Sequence, residues 1–421
     1  MNMMPDASHT HLSRRNLLIG ATAGAALAAA GPGLRVSFAA DASSQRDILI
    51  VLFQRGACDW LQMVSPAGDA NYIKARPNIR VQTTGNNAGI GLASLNGTDF
   101  YLSASAPELK TLYDSGNLAF VHAVGMHTED RSHFICQDMM EKGGADGEAK
   151  QNSGWLARHL YANPNTAPLS TVSSSSSNPA ALLGDPNALA IADASNFNIS
   201  GGSGNANVIR AMNLGSSTYQ KAAIETLNAV NDVQTGLKTI NDDSANAGYT
   251  GGALSQSLRS LGKLIKMNVG LDVATVDFGS WDMHNSLVGE FNTRTTEFSR
   301  ALSAFWTDMA AFRNRITLVT MTEFGRRLQE NTSQGTDHGS ASGMLILSGN
   351  VNGGKLYGTW PGLAANQLTT GDLTVTTDYR NVLGEILATR HAEKNLSVVF
   401  PTFQYSPVGI MKTGTTVTPA P

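Results

Sequence analysis

Asp47 to Phe53 reads D-I-L-I-V-L-F, an unbroken apolar run after its first residue. A strand with one face in water alternates apolar and polar residues. A strand that is apolar throughout has both faces covered, as in parallel sheets clothed by helices. Further strands, mainly apolar but less continuous, are read at Leu118 to Val124, Leu271 to Phe278 and Arg315 to Met321, and a short apolar one at Met344 to Leu347. Between and after them the pattern changes to helix: Ser132 to Lys142, about Ser216 to Ile240, Leu254 to Met267, Glu290 to Phe312 and Tyr379 to Arg390. The second of these carries a stripe of Ala223, Leu227, Val230, Val233 and Leu237 at helical spacing, the mark of a core-facing surface. Alternation of this kind predicts an α/β fold, a mostly parallel sheet flanked by helices on both faces. The serine run Ser173 to Ser177 and the Gly, Asn and Ser-rich Asn196 to Asn207 mark a loop-rich insertion or cap at about 145–250, inside a single domain spanning 41–421.

Residues 1–40 read as a signal peptide. Ser13-Arg14-Arg15-Asn16-Leu17-Leu18 matches the twin-arginine pattern, the run Leu17 to Ala30 is apolar, and Ser37-Phe38-Ala39 offers a small-x-small cleavage site. An uncleaved anchor is the alternative, but the run is short for a span, and no later segment reaches the ~18 apolar residues that a membrane helix needs. The expectation is therefore handling by the twin-arginine export machinery, a periplasmic or secreted location, and no stable membrane span after cleavage. Of 30 basic and 33 acidic residues, the leader holds Arg14, Arg15, Arg35 and Asp6, which leaves 27 against 32 and a mature net charge of −5. That balance provides no basic footprint for nucleic acid. Two cysteines, Cys58 and Cys136, exclude a disulfide scaffold, and whether they pair is left open.

The loops that leave these strands are chemically biased. After the first strand come Arg55-Gly56-Ala57-Cys58-Asp59-Trp60, and after the second His127-Thr128-Glu129-Asp130-Arg131-Ser132-His133. After Phe278 come Asp282 and His284; after Met321 come Glu323 and Arg326, with Asp337-His338 further on in T-D-H-G. In a parallel sheet such loops share the rim where ligands bind. Four of the seven histidines beyond the leader (His127, His133, His284 and His338) fall in them. Clustered Asp, Glu and His at strand ends suit divalent metal ions. Each residue also has a plain alternative. Asp59 or Ser132 could cap a helix, Glu323 could pair with Arg326 or Arg327, and Asp282-x-His284 could be a turn. Ser132 at a helix N-terminus could equally attend an anion, since unpaired N–H groups gather there.

The segments F-Q-R-G-A-C-D-W, R-S-H-F-I-C-Q-D-M-M-E, W-D-M-H, M-T-E-F-G-R, G-T-D-H-G and G-G-K-L-Y-G-T-W-P-G-L resemble the bacterial family called domain of unknown function 1501. That family is similar to the alkaline phosphatase and sulfatase superfamily. The resemblance implies an alkaline-phosphatase-like sheet and hydrolysis of phosphate or sulfate esters at one or two divalent ions (Mg, Mn, Ca or Zn). It implies Asp59 as a ligand of one metal, with Glu323 beside it and Phe324 where a histidine is usual. It implies Asp282, His284 and His338 as ligands of the other, with Asp337 as an auxiliary carboxylate. Ser132 resembles the nucleophile. His127, His133, Arg131 and Arg55 are the candidates for holding the anionic group, Arg because its planar fork pairs two oxygens. The substrate expected is a small anionic ester. The rival expectation is a catalytically degenerate protein that binds a surface polymer or protein partner.

Overall fold

The computed structural model describes residues 46–413 apart from 149, 166 and 168; the expected signal peptide, 1–40, lies outside them. A nine-stranded sheet runs through the molecule. Its strands are β1 (Ile48–Phe53), β2 (Leu118–Gly125), β3 (Thr171–Ser173), β4 (Leu189–Ala190), β5 (Val273–Asp277) and β6 (Ile316–Met321). A hairpin of β7 (Arg326–Glu330) and β8 (Thr336–His338) stands outside the sheet, which is completed by β9 (Ser342–Ser348), β10 (Lys355–Tyr357) and β11 (Thr377–Asp378). The order is β10-β2-β9-β6-β1-β5-β3-β4, with β11 also paired to β2.

The pairings are parallel except those of β9, which runs against both β2 and β6. The sheet is thus mostly parallel, as the apolar runs predict. β9 is the exception, and it matters. In a parallel strand, residues that precede the strand lie on the rim opposite the site. Because β9 is reversed, its first residue, Ser342, pairs with Val124 near the end of β2. The chain entering β9 therefore arrives on the same rim as the chain leaving β1, β2, β5 and β6.

Successive residues of β1 feed opposite faces. Ile48, Ile50 and Leu52 join one buried cluster with residues of the helices Pro107–Asp114, Ala253–Lys266 and Leu287–Asp308. Leu49, Val51 and Phe53 join another with residues of the helices His133–Glu141, Trp155–Ala162 and Tyr379–Arg390. Each large apolar side chain so buried contributes about 1.5–3 kcal/mol. Helices therefore cover both faces. Within 145–250 the chain contributes β3 and β4 to the sheet edge, then the helices Gly202–Met212 and Thr218–Thr239; the former buries none of its side chains. No helix of the described residues is long and apolar enough to cross a membrane.

Candidate metal centre

Four loops meet at the rim. The one after β5 shows how sequence places a ligand. In Trp281-Asp282-Met283-His284 the alternate residues Trp281 and Met283 are buried, Trp281 packing edge-on against Phe291 and Phe298 with centroids 5.6 and 6.3 Å away. Asp282 and His284 consequently face outward together. The loop after β1 presses on it backbone to backbone. Gly56 sits at φ +109°, and a Cβ there would lie 2.6 Å from the Asp282 nitrogen, so only glycine fits. The Thr336-Asp337-His338 segment forms β8, which sets His338 opposite Arg326 in the hairpin, with Gly339 just beyond it. A Cβ at Gly339 would come within 2.4 Å of the Arg326 carbonyl carbon. The motif's glycine is a close-approach residue.

The side-chain donors of His133, Asp282 and His338 lie within 4.8 Å of one another and form a group that could hold a metal ion. His284 joins them: its Nε2 is 2.9 Å from Asp282 Oδ1 and 3.0 Å from His338 Nε2. The opposite side of each ring is already engaged. His133 Nδ1 meets Glu323 Oε1 at 2.7 Å, His338 Nδ1 meets the Arg131 carbonyl at 2.8 Å, and His284 Nδ1 meets Asp337 Oδ1 at 3.2 Å. Carbonyl and carboxylate oxygens only accept, so each neutral ring carries its proton on Nδ1 and turns a lone pair on Nε2 inward. His133 Nε2 is shut off from solvent without a hydrogen-bond partner, 3.3 Å from Asp282 Oδ2. Arg326 Nη1, 3.4 Å away, reaches the His284 lone pair, whereas those of His133 and His338 face the Asp282 carboxylate, which is unfavourable unless a cation lies among them. Outer hydrogen bonds of this kind are how proteins orient metal-binding imidazoles, and the residues fit a metal.

The electrostatics agree. Burial pushes the Asp282 carboxyl up, but the Arg326 guanidinium, by its hydrogen bond and its charge, outweighs it and helps hold it well below the usual range. Glu323 behaves likewise: burial raises it, and the hydrogen bonds from His133, Gln137 and Gly56 bring it down. The Glu323 hydrogen bond in turn raises His133 against the effect of burial. His338 is lowered, chiefly by burial. Asp337 is lowered by Asn331 and His284.

The other expected site residues lie outside this group of donors. Asp59 caps the short helix Trp60–Met63 through the Gln62 N–H and pairs with buried Arg76 at 2.9 Å. Glu323 is buried behind His133 with both oxygens bonded. Neither belongs to the converging donors. Phe324 is buried against the rings of His133 and His338, with centroids 5.0 and 4.8 Å away. Ser132 precedes the helix His133–Glu141 and makes no side-chain cap bond. Its neighbours on both sides, the Arg131 carbonyl and His133, touch the centre. His127 stands apart, lining an open cleft of about 620 Å³ with Glu129, Asp146 and Ser340.

The arginines expected to grip an anion are committed elsewhere. Arg55 pairs with Glu141 at 2.6 Å and Asp277 at 2.9 Å. Arg131 donates to the Thr128 and Asp130 carbonyls, to Ser340 and to Asp372. Cys58 and Cys136 are both free and buried. Arg76 and Gln137 do not stand out in the sequence, and Arg326 is expected there only as a partner of Glu323, whereas it pairs with Asp282. A buried arginine on a polar strand such as R-R-L-Q-E carries no periodic signal that separates it from a solvated one.

A rim of histidine and carboxylate on a mostly parallel α/β sheet defines a candidate metalloprotein. Residues 119–385 match the family described as "Protein of unknown function (DUF1501)", and the chain belongs to that family. No curated protein matches it. Among solved structures, the lipoteichoic acid synthase LtaP from Listeria monocytogenes is similar at 9% identity and a TM-score of 0.34, over 85% of this chain and 80% of that one. A likeness so slight carries no argument about function.

Proposed function

We propose that this protein is an exported metal-dependent hydrolase of phosphate or sulfate esters, with the Ser132 hydroxyl as nucleophile. The observation that carries the reading is the convergence of three Nε2 lone pairs on Asp282, each imposed by an acceptor behind its ring. A donor set of three imidazoles and one carboxylate suits zinc better than magnesium or calcium. A bound ion would polarise the ester and stabilise the charge that develops on its oxygens. Ser132 supplies the attacking oxygen, being the residue next to His133 at the start of a helix, where free N–H groups favour an anion.

The test is purified mature protein against aryl phosphate, phosphodiester and sulfate-ester substrates, with and without chelator. The expected result is turnover that is lost to the chelator and to Ser132→Ala, while Ser132→Ala still binds metal. Turnover indifferent to both would refute the mechanism. Export by the twin-arginine route carries its own check: N-terminal sequencing of the exported protein should begin close to residue 40.

One observation favours a second reading, a binding protein with a metal centre but no turnover. Arg55, Arg131 and Arg326 are all held by carboxylates and carbonyls, so none of the three is free to clamp an oxyanion. Metal binding with no hydrolysis of any ester class would select this reading.

A further inference from the structure

The carboxylates around the centre come with cations already built in. Arg76 is fully buried, and a guanidinium brings a positive charge on a planar fork of N–H donors. Its Nη1 donates to Asp59 Oδ1 at 3.0 Å, its Nε to the Leu328 carbonyl at 2.9 Å, and its Nη2 to the Arg327 carbonyl at 2.8 Å. Thr336 Oγ1 and the Gln62 N–H take what remains of the Asp59 acceptor capacity. Arg326 is equally enclosed, with 1% of its side chain exposed. Its Nη2 donates to Asp282 Oδ1 at 2.6 Å and to the Gly56 and Trp281 carbonyls, its Nε to Ala57 and its Nη1 to Thr336. Glu323 accepts from His133, Gln137, the Gly56 N–H and Thr322.

We propose that the centre is mononuclear by construction: Arg76 and Arg326 supply the fixed positive charge that a second ion would bring, and one divalent ion binds at His133, Asp282 and His338 with His284 alongside. The inference rests on the metal-dependent reading of the site and goes further by assigning the number of ions and the device that limits it. Two arguments carry it. The first is occupancy. Asp59 and Glu323, the carboxylates left for a second ion, have both oxygens bonded to protein donors. At Asp59 an incoming ion would have to displace the buried Arg76 guanidinium, leaving a buried charge without its partner, which is strongly unfavourable; at Glu323 it would have to displace the hydrogen bonds from His133, Gln137, Gly56 and Thr322. The second is charge. Asp59, Asp282, Glu323 and Asp337 carry four negative charges against the two of Arg76 and Arg326. One divalent ion balances the remainder. A second would leave this set with a net charge of +2.

The experiment is metal stoichiometry on the full mature chain. Metal-free protein is titrated calorimetrically with Zn²⁺ and, separately, Mn²⁺. Bound metal is then counted by elemental analysis, and the Mn²⁺ form is examined by electron paramagnetic resonance. The expected result is one equivalent of either ion and a Mn²⁺ spectrum without exchange coupling. Two equivalents, or a coupled Mn²⁺ pair, overturns the proposal while leaving metal-dependent hydrolysis standing. No bound metal overturns both. Asp59→Asn should keep the count at one, and Asp282→Asn should abolish it. A count that falls from one to zero in a folded Asp59→Asn protein would also refute the assignment. The wild-type count remains decisive if either variant fails to fold.

Discussion

The imidazole of His133 is held from behind by Glu323 Oε1 at 2.7 Å and flanked by the ring of Phe324. Its Nε2 therefore has one direction to point. Exchanging Glu323 for glutamine keeps a similar shape but removes the charge that fixes the proton on Nδ1. We expect Glu323→Gln to weaken metal binding by about 10–100-fold, in line with other losses of an imidazole's outer partner, with little change in far-ultraviolet circular dichroism. Unchanged affinity by calorimetry would show that Glu323 does not govern His133. At this scale the sequence was half legible. Asp282, His284 and His338 could be picked out because histidines are few and fall after apolar runs. The partition between residues that face the centre and residues that stand behind it could not. That depends on which donors reach each carboxylate, and for Asp59 the deciding donor is Arg76, whose side chain is wholly buried.

The β7–β8 hairpin shows why whole elements can hide. R-R-L-Q-E and T-D-H are short and polar, with neither the alternation of a half-buried strand nor the continuity of a buried one. Yet this hairpin sets Arg326 opposite His338. Gly339→Ala would force a methyl to within 2.4–2.6 Å of backbone atoms of Arg326 and Arg327. The prediction is a lowered melting temperature together with weaker metal binding; loss of stability alone, with metal affinity intact, would mean that the hairpin does not set the centre's geometry. In β2 a different residue governs stability. His122 is fully buried, accepts a hydrogen bond from Trp60 Nε1 at 3.1 Å, and burial lowers its pKa from 6.5 to about 3. The unfolded chain takes up this proton near pH 6.5 and the folded chain only near pH 3. Stability should accordingly fall as pH drops through that window, by up to about 1.4 kcal/mol per pH unit from this group. His122→Gln keeps an acceptor for Trp60 and should flatten the denaturation free energy over the same window relative to wild type. Equal slopes in the two proteins would rule out His122 as the cause.

For the molecule as a whole, the continuous apolar runs announced the architecture well, because burial on both faces leaves a plain signature in composition. The sense of a strand leaves none. S-G-M-L-I-L-S is buried throughout, and such a run looks the same whether it lies parallel or antiparallel to its neighbours. The reversal of β9 therefore has to be seen in three dimensions, and it has a temporal consequence. β9 lies between β2 and β6, and His338 reaches the rim only on the way into it. His133, in contrast, is carried by a helix that comes after β2, more than two hundred residues earlier. The ligand group cannot exist until a late segment has been inserted into the middle of a sheet begun early in the chain. Contacts of such long sequence separation form slowly. Metal capture would thus mark the end of folding rather than nucleate it, and a chain that carries its ion is a chain whose sheet has closed.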